Sequence, residues 1–186
     1  MISKYHPRAF TSLAIAAAVS FSGAAAADPT SAGTTYIGGQ YAAVTYSEDN
    51  VPDAEPSAIV GRAGTFISDN LSIEGRFGFG LEDDTVSLAG VDVDVEIDNF
   101  IGGYITGHLP LADQASLYGV LGFTSAKGKF SAGGGSISER DSGISWGAGF
   151  NFYATEQLGL NLEYMQYLDE SGYDLSAIAF GAIYNF

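Results

Sequence analysis

Cysteine is absent from all 186 residues, so neither a disulfide framework nor a thiolate metal site can form. Basic residues are scarce: 7 Lys and Arg stand against 22 Asp and Glu, for a formal net charge of −15. Such a chain is repelled by phosphate backbones, which excludes nucleic acid as a partner and favours cations or cationic surfaces. After the first 27 residues no apolar run reaches the roughly 20 residues that a helix needs to cross hydrocarbon. Any crossing must therefore be made by strands. What is plentiful agrees with this. The 25 Gly, 11 Tyr and 12 Phe suit tightly curved strands with aromatic girdles better than a helical bundle.

The amino terminus reads as an export signal. Lys4 and Arg8 give a positive start, an apolar run continues to Phe21, and Ala24 to Ala27 supply small residues for cleavage. Residues 1–27 are thus expected to be a signal peptide and residues 28–186 one β-barrel domain. Cleavage removes two basic residues and no acid, so the mature chain is still more acidic. The acids cluster at Glu48, Asp49, Asp53 and Glu55, at Glu82, Asp83, Asp84, Asp92, Asp94 and Glu96, and at Asp169, Glu170 and Asp174.

Period-two hydrophobicity recurs along the rest of the chain. The pattern predicts strands over about 34–46, 57–67, from Leu71, up to Leu109 after a longer segment from Leu81, then 116–126, 143–153, from Leu158, and 174–186. In the third, Leu71, Ile73, Gly75, Phe77 and Phe79 alternate with Ser72, Glu74, Arg76 and Gly78. In the fourth, Ile97, Ile101, Ile105 and Leu109 share a face opposite Phe100, Tyr104 and His108. A Gly- and Ser-rich break is expected over 127–141. The first strand carries small residues on both sides and does not declare its outward row. The breaks after odd-numbered strands are generally longer than those after even ones. The fold expected is all-β: an eight-stranded antiparallel up-and-down transmembrane β-barrel with long outer loops and short periplasmic turns. Closure follows because unpaired strand groups in hydrocarbon cost several kcal/mol each, about the price of a lost hydrogen bond made without water. The last residues, Phe180 to Phe186, remain apolar at alternate positions up to the carboxylate.

Gly61–Arg76, Trp146–Tyr153, Leu160–Tyr164 and the Phe-rich end together carry a resemblance. The layout resembles the small outer-membrane β-barrel family that includes the amino-terminal barrel of outer membrane protein A and barrels similar to outer membrane protein X. The resemblance implies residence in the outer membrane of a Gram-negative bacterium, with lipid and lipopolysaccharide as surroundings. It also implies that Phe180, Gly181, Tyr184 and Phe186 form the signal read by the barrel assembly machinery. A peptidoglycan-binding domain after the barrel, as in outer membrane protein A, is not expected.

Four charged residues mark the interior. Arg62 lies seven residues before Asp69 and Arg76 seven after it, with Glu74 one pleat lower; Glu163 lies seven residues after Glu156 in a turn on the same side. They are expected to meet as an ion-pair network, since unpaired charge in a poorly hydrated lumen is expensive. The resemblance implies the same, because related barrels fill their interiors with such pairs. The network reads as an electrostatic plug, with a gate for small ions or water as the competing reading. No catalytic residue, cofactor or metal site is expected. His108 lacks a nucleophilic Ser in a suitable arrangement and has Asp113 as its nearest acid in sequence. Asp92-Val-Asp94-Val-Glu96 lacks the order of a calcium loop, leaving diffuse divalent cations at acidic loops as the plausible contact. Tyr36, Tyr46, Phe66, Tyr153, Tyr164, Tyr184 and Phe186 are expected in interfacial girdles.

The functional reading is a non-enzymatic integral outer-membrane barrel with a structural or surface-interaction role. One alternative is a narrow porin-like channel. A second is a soluble periplasmic ligand-binding barrel, which would reverse the faces, with apolar groups inside and polar groups outside.

Overall fold

A computed structural model describes residues 29–48, 53–88, 91–132, 135–170 and 173–186. The expected signal peptide lies outside the described residues, as does Asp49. Among the described residues there is no helix, and nine strands form one antiparallel sheet: β1 (Thr35–Glu48), β2 (Ser57–Ser68), β3 (Leu71–Glu82), β4 (Asp84–Leu88), β5 (Val91–Ala112), β6 (Ala115–Ala132), β7 (Gly135–Tyr153), β8 (Leu158–Glu170) and β9 (Tyr173–Asn185).

The expected eight-stranded up-and-down barrel is corrected. The sheet has nine strands in the order β3-β2-β1-β9-β8-β7-β6-β5-β4, with an additional pairing of β3 with β5. The longer segment after Leu81 contains the extra strand, because Asp84–Leu88 pairs back on Val91–Val95. The far edge of β4 is free among the described residues. β7 likewise meets β8 only from Trp146 towards Tyr153, although it begins at Gly135. The sheet is therefore not a closed cylinder along its height. Water supplies the reason: above the apolar band it can satisfy strand groups that hydrocarbon would leave unpaired, so the requirement for closure lapses there. Below β4, Leu71–Phe79 pairs with Gly107–Asn99.

The expected break over 127–141 is also corrected. β6 continues to Ala132 and β7 starts at Gly135, in register from Lys127↔Arg140 to Ala132↔Gly135. Alternating polar residues such as Lys127, Lys129, Ser136 and Ser138 hide this hairpin from any hydrophobic count. Its described side chains stand in solvent, where pairing needs no apolar face.

The faces follow the alternation. Arg62, Glu74, Arg76 and Glu163 are 5%, 4%, 2% and 1% exposed, whereas Phe77, Ile101 and Leu121 are 53%, 57% and 60% exposed. Charge lies inside and apolar groups outside, which is the reverse of the soluble ligand-binding barrel. The first strand resolves in the same sense, with Tyr36, Gln40, Ala42 and Val44 buried and Ile37 and Tyr41 outward. Ile97 departs from the expected row and is buried, because a register shift between Ile97 and Asn99 inserts an extra residue and reverses the pleat above it.

Candidate functional site

The interior is organised in levels. At the end carrying the Asp69–Asn70 and Ala154–Gln157 turns, His108 stacks on Tyr118 at a centroid separation of 5.5 Å and lies tilted against Phe66 at 4.9 Å. Tyr36 and Tyr153 are buried there too. Of the proposed girdle aromatics, Tyr36, Phe66 and Tyr153 thus face inward, while Tyr164, Tyr184 and Phe186 are outward. Strand ends attract aromatics on both faces, and a residue's place near an end does not fix its side.

The four interior charges meet at the next level. Arg62 and Arg76 are direct cross-strand partners, a like-charge pairing that is unfavourable unless an anion bridges it. Glu74 does so: Arg62 Nε donates to its Oε2 at 2.8 Å and Arg76 Nε to its Oε1 at 2.5 Å. Arg62 Nη2 also lies 2.6 Å from Oε2, and Tyr36 donates to the same oxygen at 2.7 Å. Across the interior, Arg76 Nη1 and Nη2 donate to Glu163 Oε1 and Oε2 at 2.6 and 2.8 Å. This two-pronged geometry is the strongest that an Arg and a carboxylate can adopt. Gln40 Nε2 adds a longer contact to Glu163 at 3.4 Å, and the Arg76 guanidinium lies 4.8 Å from the Tyr104 ring centroid. Two cations and two anions leave the cluster formally neutral.

Beyond the charges the interior turns apolar. Ala42, Val44, Ala58, Val60, Phe100 and Met165 belong to one buried cluster. A run of hydroxyls borders it: Tyr104 meets Thr124 at 2.6 Å, Thr124 meets Ser145 at 2.6 Å, and Ser145 donates to the Tyr167 carbonyl at 2.7 Å. Gln40 and the hydroxyl run were not singled out in the sequence, and Tyr36 was expected in a girdle rather than beside Glu74. Their signal was available: inward parity, counted outward from Arg62 and Glu163 across the paired strands.

His108 sits between two rings, and neither nitrogen meets a hydrogen-bond partner among the described residues. Among the described residues no carboxylate hydrogen-bonds its ring in the way the base of an acyl hydrolase is oriented. At the outer end Thr85 Oγ1 donates to Asp94 at 2.8 Å, Lys129 to Glu96 at 3.3 Å and Lys127 to Asp98 at 2.5 Å. Among the described residues no group of His, Asp and Glu is arranged to hold a metal ion. Phe180, Tyr184 and Phe186 share the outward face, with Tyr184 and Phe186 edge to face at 5.1 Å. Gly181 points inward, and a Cβ there would fall 2.0 Å from the Gly39 carbonyl oxygen.

No curated protein matches the chain. Solved structures do. The attachment invasion locus protein Ail of Yersinia pestis shares 21% identity at a TM-score of 0.62, covering 83% of this chain and 99% of that one. Neisserial surface protein A shares 14% at 0.65, again covering 83% and 99%. OprG of Pseudomonas aeruginosa shares 12% at 0.54, covering 84% and 97%. At these identities the likeness speaks for the fold. The family described as "Outer membrane protein beta-barrel domain" matches residues 14–186. Given that match over most of its length, the chain belongs to the outer membrane protein beta-barrel domain family and resides in the outer membrane of a Gram-negative bacterium.

Proposed function

We propose that the protein is a non-catalytic component of the outer membrane whose interior is plugged by Arg62, Glu74, Arg76 and Glu163 and whose outer strands serve surface interaction. The observation that carries the plug is the pairing of four fully interior charges beneath an apolar cluster. An ion crossing this interior would exchange its hydration first for a neutralised charge cluster and then for hydrocarbon. Both steps are unfavourable. Planar-bilayer recording tests this. Wild-type protein is expected to conduct at background, and Glu74→Ala and Arg76→Ala are expected to stay there; discrete channel openings would support the narrow-channel reading instead.

The surface role draws support from the outer edges. β4 and the upper part of β7 present unpaired strand edges in water among the described residues, and such edges accept an extended partner segment by strand addition. The acidic side chains around them favour a basic partner. Diffuse Mg²⁺ or Ca²⁺ would bridge the same carboxylates to lipopolysaccharide phosphate. Lipopolysaccharide association that survives chelator unchanged would remove that bridge. Phe180, Gly181, Tyr184 and Phe186 serve in recognition by the assembly machinery; Phe186→Ala is expected to lower the folded yield in cells.

A further inference from the structure

The chain does not run straight into β1. Residues 31–34 make a tight turn in which the Thr34 N–H donates to the Ser31 carbonyl at 3.1 Å, with Gly33 at φ 91°, the left-handed backbone such a turn needs at its third position. The turn brings residues 29–32 against the Asp69–Asn70 turn. Three bonds hold them there: the Asn70 N–H donates to the Thr30 carbonyl at 2.9 Å, Thr30 Oγ1 to Asn70 Oδ1 at 3.1 Å, and the Ala32 N–H to Asp69 Oδ1 at 3.1 Å. Asn70 sits at φ 66°, and among the described residues no other non-glycine has a positive φ. Glycine would fill that position at least cost; the asparagine adds the acceptor that meets Thr30.

Beyond Asn70 the segment reaches the far side. Pro29 and Thr30 line a cleft at the rim with Pro110, Asp113, Ser116 and Tyr153, which belong to the β5–β6 connection, the start of β6 and the end of β7. Three strands separate β1 from β6 in either direction along the pairings, β2, β3 and β5 one way and β9, β8 and β7 the other. The segment thus begins on one side of the mouth and ends on the opposite one. Phe66, Tyr118 and Tyr153 are 3%, 3% and 4% exposed and Thr30 itself 5%, although these rings form the inward level nearest the turns. Both ring nitrogens of His108 are buried with them. Rings at an open mouth would meet water.

We propose that residues 29–34 form a lid over the interior at the short-turn end, with the Asp69–Asn70 turn as its latch. The lid goes beyond the plug reading and stands without it: the ion-pair network opposes charge, whereas the lid keeps even neutral molecules from the ring level. Release of the latch is the step that would open this end to a solute or a partner segment.

His108 reports on the lid, since the chain's other histidine is His6 and carbethoxylation by diethyl pyrocarbonate is read peptide by peptide from mass. In vesicles the folded protein is expected to be labelled at His108 about tenfold or more slowly than in urea, as for a group reached only by local opening. Asn70→Gly keeps the left-handed turn and removes the acceptor, and Thr30→Val removes the donor at nearly constant shape. Each is expected to speed labelling about fivefold, the change in open population on losing one net hydrogen bond, and the double variant no more than either alone. Labelling of the unsubstituted protein as fast as in urea would overturn the lid; variants labelled as slowly as the parent would overturn the latch. Hydrogen exchange frees the test from the folding of any variant. The amides of Gly33 and Asn70, which donate to Phe66 and Thr30, are expected to be protected and to exchange together, because lifting the segment breaks both bonds; exchange at the free-peptide rate would overturn the lid. In planar bilayers both variants are expected to stay at background, since the network is intact. Channel openings there would move the barrier to ions from the network to the lid.

Discussion

Glu163 carries the two-pronged contact to Arg76, and removing it leaves the Arg62 and Arg76 guanidiniums sharing the single carboxylate of Glu74. Glu163→Ala is expected to destabilise the protein by about 3–5 kcal/mol, the usual penalty for breaking a buried pair from one side. Trp146 is the single tryptophan and sits on the outward row, so its emission during urea titration in vesicles measures the loss. Replacing both partners, as in Glu163→Met with Arg76→Met, is expected to recover part of it. At the outer end, the hydrogen bond from the Lys127 ammonium holds the Asp98 carboxyl below the usual carboxylate range. A depressed carboxyl pKa gives a contribution that is present above the unfolded value of about 3.9 and lost as pH falls through the folded value. Lys127→Met is expected to raise the Asp98 titration midpoint, read by NMR of its carboxyl carbon. The interior charges were legible in the sequence because each sits at inward parity within a clean alternation. Gln40 was not, since its strand has small residues on both faces.

Side chains reach across the interior only where facing residues make room. Gly122 accepts the Tyr104 ring: a Cβ there would lie 2.4 Å from Tyr104 Cδ1 and 2.3 Å from the Gly103 carbonyl oxygen. Backbone on one side leaves no room to yield, so Gly122→Val is expected to block folding or cost about 3 kcal/mol or more, as strong overpacking does, seen as loss of the compact form on an unheated gel. Element boundaries were read well where the outward row is apolar, as in β3 and β8. They failed where strands continue into water. There β4 and the upper parts of β6 and β7 are held by backbone pairing and polar cross-strand contacts such as Lys127 with Asp98, and hydrophobic period carries no trace of that. The Ile97 reversal was equally hidden, because a single extra residue in β5 changes the face without changing the composition.

The whole molecule presents an apolar outer band around a charged and partly amidic interior. A basic group placed in that band is expected to be costly in proportion to depth. Leu121→Arg, near the middle of β6 and 60% exposed, is expected to lose about 2–4 kcal/mol in vesicles. The same change would be nearly neutral if this surface faced water, so urea titration of the variant reports directly on which solvent surrounds the band.

The acid-rich outer strands have a consequence for biogenesis. Asp92, Asp94, Glu96, Asp98, Glu139 and Asp141 end up in water, but each must first pass the hydrocarbon while the chain inserts. A carboxylate crosses such a barrier far more readily once protonated. Acid strong enough to protonate these carboxylates therefore speeds spontaneous insertion of this chain into lipid, while the finished Asp98–Lys127 contact yields only in stronger acid still, because Lys127 holds the Asp98 carboxyl down.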